Sequence, residues 1–270
     1  MTNLVAERTH AAVRYEADGV ILLRQLISPA ETQQLRDVFI AQVETDRSLG
    51  FDDSLPEDDI LARYPRFVHP HRHLEVEAGR LARKLMTDPR IFDVAEDLLG
   101  PAYAAQSMFY FKPPTARGQA LHQDNLFLQA HPETCLAAWI AVDDCDAENG
   151  GLVVIPRSHK IQILCPEDVA DPEESFIGAT VPVPQGAPLV QTEMKAGDVL
   201  FFHGSLVHGS RANRSPHRFR RSLIFHYIPQ ASIEVAKFYL PLITSAGDEV
   251  LMAASAEGGP CGVGWINAGH

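Results

Sequence analysis

The stretch GDVLFFHGSLVHGS, residues 197–210, joins a short apolar run to two histidines, each followed by a glycine and a serine. The apolar run, residues 199–202, is shorter than a helix needs and is typical of a buried strand. Glycine and serine directly after such a run indicate a turn. The stretch therefore predicts a buried strand whose end carries His203 and, a few residues later, His208.

Short runs of the same kind lie on both sides of this strand. They are rich in β-forming residues and are separated by Gly, Pro and Asn. Many short strands at short intervals favour an antiparallel sandwich or barrel over a fold of alternating strands and helices. The other runs are SMFYFK (107–112), ALHQDNLFL (120–128), CLAAWIAV (135–142), GLVVIP (151–156) and RRSLIFHYI (220–228).

The first hundred residues have the pattern of helices. Ser28, Pro29 and Glu31 form a helix start, with serine as N-cap, proline at the first helical position and glutamate at the third. Residues 31–44 then carry apolar side chains at helical spacing. A second helix is predicted from Arg80 to Leu99, and the polar stretch 48–70 is predicted to be a loop.

The composition excludes several classes of protein. The formal net charge of −12 argues against nucleic acid or an anionic membrane as the main partner, since both require a basic surface. No apolar run reaches the length of a membrane helix. The N-terminal MTNLVAERTH lacks the pattern of a secretory signal. The four cysteines form no C-x-x-C pair and are predicted to be reduced thiols, so we expect a cytoplasmic protein.

Twelve histidines are unusual for 270 residues, and one of them lies in the motif His122-Gln123-Asp124. Within a strand, His122 and Asp124 would point to the same face. An imidazole and a carboxylate are two thirds of the 2-His-1-carboxylate triad that holds Fe(II) with open positions in oxygenases. The third ligand would come from His203 or His208. The alternative is a surface histidine beside an aspartate.

A cationic position follows in the strand that begins at residue 219. Arg220 and Ser222 would share one strand face, and Arg221 would point the other way. A guanidinium and a hydroxyl that converge in this way can bind a carboxylate. The alternative for Arg220 is an ordinary surface charge.

Taken together, these motifs resemble the phytanoyl-CoA dioxygenase (PhyH) family of Fe(II)- and 2-oxoglutarate-dependent oxygenases. Their order and spacing agree with that family over roughly residues 90–230. The matching segments are KPP (112–114), LHQD (121–124), AW (138–139), NGGLVVIPRSHK (149–160), GDVLFFHGSLVHGS (197–210) and FRRSLIFHY (219–227).

The resemblance implies a mainly β protein with flanking helices: a double-stranded β-helix, or cupin-like jelly roll, with the N-terminal helices packed outside. One oxygenase domain is then expected over residues 1–270. It would comprise a helical part (about 1–100), a jelly-roll core (about 101–230) and a C-terminal extension (231–270).

The resemblance also implies the site and the reaction. Of the two histidines after the central strand, it selects His208 as the third iron ligand, and it implies Fe(II), 2-oxoglutarate and O2 as cofactor and cosubstrates. The expected reaction hydroxylates a small-molecule C–H bond and releases succinate and CO2. The implied metal ligands are His122, Asp124 and His208, and the residues expected at 2-oxoglutarate are Arg220, Ser210, Met108, Trp139 and Ser222.

Two other functions stay open at this point: a cosubstrate-independent cupin-type metalloenzyme and a non-catalytic jelly-roll binding module. Candidates for the substrate pocket are Phe109, Tyr110, Asn125 and Phe127, each of which could equally be core. The segment HPHRH, residues 69–73, is interpreted as a solvated loop, with a cationic lid or a second metal site as alternatives.

Overall fold

The computed structural model describes residues 11–48, 58–132, 134–166, 168–255 and 261. The predicted absence of a secretory signal concerns residues 1–10 and lies outside this part. Within it, no helix has both the length and the apolar character needed to cross a membrane.

Helices dominate the first hundred residues, as predicted. Residues 11–18 are helical, and α1 begins with the expected capping box, in which Ser28 and Glu31 satisfy each other's backbone N–H groups. The later helices are α2 (Ile60–Arg63), α3 (Glu77–Met86), α4 (Pro89–Leu99) and α5 (Asn125–Leu128), and α1 itself spans Pro29–Thr45.

The single helix predicted from Arg80 to Leu99 is wrong, because the chain forms α3 and α4 there. Pro89 lacks the N–H that a continuous helix needs, and the Asp88 side chain accepts a hydrogen bond from the Arg90 amide to start α4. The predicted loop 48–70 also contains α2 and a short strand.

Short strands are the main regular structure after residue 100, and two more lie before it. They are β1 (Val20–Leu23), β2 (Phe67–Val68), β3 (Ala102–Tyr110), β4 (Gln119–His122), β5 (Leu136–Ala141), β6 (Leu152–Val154), β7 (Asp168–Val169), β8 (Ala179–Thr180), β9 (Val190–Gln191), β10 (Val199–His203), β11 (His208–Ser210), β12 (Ser222–Pro229), β13 (Glu234–Ala236), β14 (Leu242–Ile243), β15 (Glu249–Val250) and β16 (Ala253–Ser255).

Two antiparallel sheets form the jelly roll. The major sheet has the order β1-β10-β5-β12-β3-β14-β15, with β2 paired to β3, and the minor sheet has the order β4-β11-β6-β9. Alternate residues of each strand point to opposite faces. Met108 and Tyr110 therefore pack between the sheets, whereas Phe109 and Phe111 join the core beneath the helices. The predicted fold class, with its helices outside the sheet, is confirmed.

The prediction of four reduced cysteines is wrong for two of them. Cys165 and Cys261 form a disulfide across 96 residues of sequence, whereas Cys135 and Cys145 are buried free thiols. Cysteine spacing alone does not reveal which residues the fold brings together, so the pairing had no signal in the sequence.

Candidate metal centre and its pocket

Two histidines face each other on neighbouring strands of the minor sheet. His122 on β4 is paired with His208 on β11, and their ring centroids lie 4.2 Å apart. Nδ1 of His122 lies 2.8 Å from the Ala120 carbonyl oxygen, and Nδ1 of His208 lies 3.0 Å from that of Leu206. A carbonyl only accepts, so each Nδ1 carries a proton, and each Nε2 is the nitrogen that faces Asp124 and would bind a metal in its deprotonated form.

Asp124 completes the group, but not from a strand as the sequence suggested. The strand β4 ends at His122, and Asp124 adopts helical backbone angles as the N-cap of α5. The turn places Asp124 Oδ1 3.5 Å from Nε2 of both His122 and His208. One ligand atom from each of these three buried residues lies within 4.8 Å of the others.

His226, which the sequence interpretation did not single out, holds the other carboxylate oxygen. Its Nε2 lies 3.1 Å from Asp124 Oδ2, and both side chains are about 1% exposed. The sequence contained a signal for this role, because residues 220, 222, 224 and 226 alternate along one strand and its approach and so share a face. His226 therefore lies on the same face as Arg220 and Ser222. The position of His226 on the inner face of the sheet, rather than its residue type, identifies it as a neighbour of the metal centre.

The Asp124 carboxylate is stabilised as an anion. Burial by itself would raise its pKa, but the charges of His208 and His226 and hydrogen bonds with His122 and His226 outweigh burial, so the pKa lies well below its usual range. A buried carboxylate persists only with such partners. The centre therefore offers one ionised oxygen ligand and two imidazole nitrogens.

Arg220 forms a buried cationic end in the same pocket. Its Nη1 donates to Ser222 Oγ at 3.0 Å and its Nε donates to the Gly150 carbonyl at 3.2 Å. The guanidinium lies 5.4 Å from the centre of the Trp139 ring. Arg221 points the other way and makes two hydrogen bonds to Asp143, at 2.7 and 2.9 Å. Arg220 therefore lines the pocket, and Arg221 pairs with Asp143 away from it.

Lys112 is a second buried cation that the sequence interpretation did not assign. Its Nζ donates to Ser210 Oγ at 2.8 Å and to the carbonyls of Arg211 and Gly150 at 2.7 and 3.2 Å. Gly150 has a φ of +76°, and a Cβ there would lie 2.8 Å from Lys112 Cδ. Burial and the charge of Arg220 lower the pKa of Lys112 well below its usual range. An anion beside both groups would favour the charged form of Lys112 and would itself be stabilised.

Most of the predicted site residues line one pocket. Met108, Trp139, Ser210 and Arg220 line it together with the three candidate metal ligands, whereas Ser222 contacts it through Arg220. Among the proposed substrate residues only Tyr110 lines this pocket. Phe109 stacks on Phe39 in the outer core, Asn125 bonds to Ser205, and Phe127 lies edge-on to His122.

The other histidines singled out in the sequence lie elsewhere. His203 packs near His159, and burial lowers its pKa to about 4. The interpretation of residues 69–73 as a solvated loop is wrong for His69 and His71, which are buried. Burial lowers the pKa of His71 to about 3, so it is neutral at pH 7 and no cationic lid. In the described part of the chain the metal-type cluster is His122, Asp124 and His208.

Comparisons with solved structures agree with this fold. The non-haem alpha ketoglutarate dependent epimerase SnoN from nogalamycin biosynthesis matches at a TM-score of 0.68 and 21% identity, over 96% of this chain and 98% of that one. EctD from S. alaskensis, solved with 2-oxoglutarate and 5-hydroxyectoine, matches at a TM-score of 0.61 and 23% identity, over 82% and 75% of the two chains.

Curated relatives carry one family name. Phytanoyl-CoA dioxygenase 1 of Oryza sativa subsp. japonica is 36% identical over 135 residues, which is 49% of this chain and 47% of that protein. The peroxisomal phytanoyl-CoA dioxygenase of Mus musculus is 29% identical over 234 residues, or 79% and 66%. The chain thus spans about half to two thirds of the length of these relatives. The family model for phytanoyl-CoA dioxygenase matches residues 15–222, well over half of the sequence, and the chain therefore belongs to the phytanoyl-CoA dioxygenase (PhyH) family.

Proposed function

We propose that this protein is an Fe(II)- and 2-oxoglutarate-dependent dioxygenase that hydroxylates a C–H bond of a small molecule and releases succinate and CO2. One observation carries the proposal. A buried group of two imidazoles and one carboxylate shares a pocket with a buried arginine and lysine. Neither a binding module nor a simple cupin needs both features together.

The donor set fits Fe(II). Imidazole nitrogens suit iron, and a 2-His-1-carboxylate group occupies one face of the metal and leaves other positions open. Here the hydrogen bonds to Ala120 and Leu206 direct Nε2 of both histidines towards Asp124. His122, Asp124 and His208 would hold the metal, and His226 would keep the carboxylate oriented.

The cationic end fits the distal carboxylate of 2-oxoglutarate. Arg220 would bind it, with Ser222 fixing the guanidinium, and Lys112 would add charge through its place beside Ser210. Met108 and Trp139 would cover the cosubstrate between this end and the metal. Apolar walls there exclude water, which strengthens each charge-assisted contact.

Bound Fe(II), 2-oxoglutarate and O2 supply the oxidising chemistry, and the protein supplies ligands, orientation and a dry pocket. The substrate would bind beside the metal, in the part of the pocket that the cosubstrate leaves free. The charge of −12 on the whole chain favours a small free metabolite over a nucleic acid or an anionic membrane lipid.

Anaerobic titration tests the proposal. Apoprotein is mixed with Fe(II) and then with 2-oxoglutarate, and the visible spectrum is followed for the metal-to-ligand charge-transfer band that keto-acid chelation produces. Succinate in place of 2-oxoglutarate is the control, because it lacks the keto group. With Fe(II) present, we expect the band when 2-oxoglutarate is added and no band when succinate is added. Iron binding without a band would favour a cosubstrate-independent metalloenzyme, and absence of iron binding would favour a binding module.

Replacing Arg220 tests the cosubstrate site. Arg220→Gln is expected to weaken 2-oxoglutarate binding by about tenfold to a hundredfold, because a charge-assisted pair with a carboxylate is lost. The 2-oxoglutarate Kd is read from the anaerobic titration, and the Fe(II) Kd should stay within about twofold, a shift too small to be a lost interaction.

Arg221→Gln is the matched control, since Arg221 pairs with Asp143 away from the pocket. It should leave the 2-oxoglutarate Kd unchanged and lower the free energy of unfolding by about 1–3 kcal/mol. If Arg221→Gln weakened 2-oxoglutarate binding and Arg220→Gln did not, the assignment of the two arginines would be reversed.

Replacing His226 tests the support of the metal ligand. His226→Ala is expected to weaken Fe(II) binding by about tenfold to a hundredfold, the usual effect of losing a partner that orients a ligand. His226→Gln, which can still donate to Asp124, should recover part of the affinity. The exposed His217 provides the control variant His217→Ala. Unchanged Fe(II) affinity in folded His226→Ala would remove the orienting role.

A further inference from the structure

The disulfide between Cys165 and Cys261 is used by neither the proposed metal centre nor the cosubstrate site. Residues 161–166, here called the brace loop, contain Cys165 and form neither helix nor strand. A segment without regular structure has few backbone hydrogen bonds of its own, so its position depends on its anchors. The disulfide is a covalent anchor, because it joins the brace loop to a residue that is 96 positions away in the sequence.

Gln123 links the brace loop to the metal centre. It stands between two of the candidate ligands in the sequence, and its side chain is fully buried. Its Oε1 accepts a hydrogen bond at 2.7 Å from the amide of Leu164, which directly precedes Cys165. Its Nε2 donates at 2.7 Å to the carbonyl of Ser205, in the segment that leads to His208. One buried amide therefore joins the brace loop to both segments that carry metal ligands.

The Leu164 side chain supports the same two segments by packing. It lies against a small apolar cluster, which Leu121 also joins. The cluster consists of Ile155, Val181 and Val207. Leu121 and Val207 directly precede the two candidate metal-binding histidines. The brace loop is thus held, by a hydrogen bond and by packing, against the residues that position both histidines.

We propose that the Cys165–Cys261 disulfide is a redox-sensitive brace of the metal centre. The disulfide would hold Leu164 on Gln123, and its reduction would lower the affinity of the centre for a divalent metal ion. Partners that orient the ligands of a metal govern much of the affinity for that metal, so a loosened brace loop weakens binding without removing any ligand. The inference rests on the proposed function for the metal that the centre binds.

The redox step is a two-electron reduction of the S–S bond. With a phosphine, the two sulfur atoms gain two electrons and two protons and become thiols, and the phosphine takes the oxygen of a water molecule to become its oxide. A dithiol gives the same two thiols through a mixed disulfide and is itself oxidised to a disulfide. In both cases Cys165 and Cys261 are released from each other.

Metal titration of the oxidised and reduced protein tests the proposal. Peptide mapping after thiol alkylation, without reductant, first establishes the pairing. The wild type is then reduced with tris(2-carboxyethyl)phosphine under argon, and the phosphine is removed by gel filtration before calorimetric titration with Mn(II). The double variant Cys165→Ser/Cys261→Ser, with and without phosphine, is the matched control for effects on the buried thiols Cys135 and Cys145.

We expect reduction to weaken Mn(II) binding by the wild type about tenfold, the lower end of the effect of losing a partner that orients a ligand. The double variant should show this weaker binding whether or not it is treated with phosphine. Gln123→Leu, which removes both hydrogen bonds and keeps a side chain of similar size, should weaken binding in the oxidised protein. Its reduction should then change the Mn(II) Kd by less than about twofold, too little to be a lost interaction.

A general loss of stability would behave differently. Reduction should lower the thermal unfolding temperature of the wild type and of Gln123→Leu alike, whereas only the wild type should lose Mn(II) affinity. Hydrogen–deuterium exchange of the metal-free wild type provides a readout without metal. Reduction should speed exchange of the Leu164 amide and of residues 121–124 and 205–208.

Three results would overturn the proposal: absence of the Cys165–Cys261 pairing in the mapped wild type, an unchanged Mn(II) Kd after reduction, or an equal loss of affinity on reduction of Gln123→Leu. Failure of the metal centre is distinguishable, because it would appear as absent Mn(II) binding in the oxidised wild type. Hydrogen exchange then decides on the brace: faster exchange at the Leu164 amide after reduction would support it, and unaltered exchange would exclude it.

Discussion

Asp124→Ala is expected to abolish 2-oxoglutarate-dependent turnover and to weaken Fe(II) binding by more than about a hundredfold, the upper range for residues that only orient a ligand. The change removes the one carboxylate among three imidazoles, those of His122, His208 and His226. Nε2 of His122 and Nε2 of His208 remain as metal ligands, and they provide neither the negative charge nor the third donor of the metal face.

The measurement is calorimetric Fe(II) titration under argon, followed by succinate release after O2 is admitted. Asp124→Asn keeps the size of the side chain and removes its charge, so it separates loss of a ligand from loss of packing. Asp37→Ala, at an exposed position of α1, controls for a change of one charge. Wild-type Fe(II) affinity in a folded Asp124→Ala protein would exclude Asp124 from the metal centre.

The sequence predicts the strands well because they are encoded locally, whereas the jelly roll that they form is implied by the family resemblance. Each short run around residues 107–228 contains a strand, and alternation along β3 separates Met108 from Phe109 as the pleat requires. The capping box at Ser28 is equally local. These features depend on a few neighbouring residues, so they can be recognised without knowledge of the tertiary structure.

The site is predicted less completely, because its geometry comes from contacts between distant segments. The prediction of one strand over residues 120–128 puts the Asp124 carboxylate beside His122, which is where the structure has it. The cause is different, however, because the strand ends at His122 and Asp124 begins a helix. Likewise the burial of Lys112 depends on Ser210 and on two carbonyls far along the chain.

Burial itself is the property that the sequence conceals most. His69 and His71 stand in a polar segment, yet both are buried: the His69 ring lies 5.9 Å from that of Tyr239, and His71 Nδ1 lies 2.6 Å from Ser107 Oγ. The Cys165–Cys261 pair shows the same limit. In both cases the decisive neighbour is remote in sequence, and no local pattern indicates it.

His208→Ala is expected to abolish turnover, whereas His203→Ala should retain it. Both histidines precede a glycine and a serine, but their surroundings differ. His208 lies on β11 with Nε2 directed at Asp124 Oδ1, 3.5 Å away. His203 ends β10, and its Nδ1 accepts a hydrogen bond from the Ser205 amide. Removing His208 takes away one of three metal ligands, so Fe(II) affinity should fall by more than about a hundredfold.

The pair forms its own matched control, because both variants delete a largely buried imidazole from adjacent parts of one segment. Fe(II) Kd, succinate release and thermal unfolding are measured for both. His203→Ala should change stability alone, since its ring packs against His159 and Tyr15 outside the pocket. If His203→Ala lost Fe(II) while His208→Ala kept it, the third ligand would be His203. The hydrogen bond that His208 Nδ1–H donates to the Leu206 carbonyl would then have only a structural role, because an imidazole that binds no metal needs no fixed tautomer.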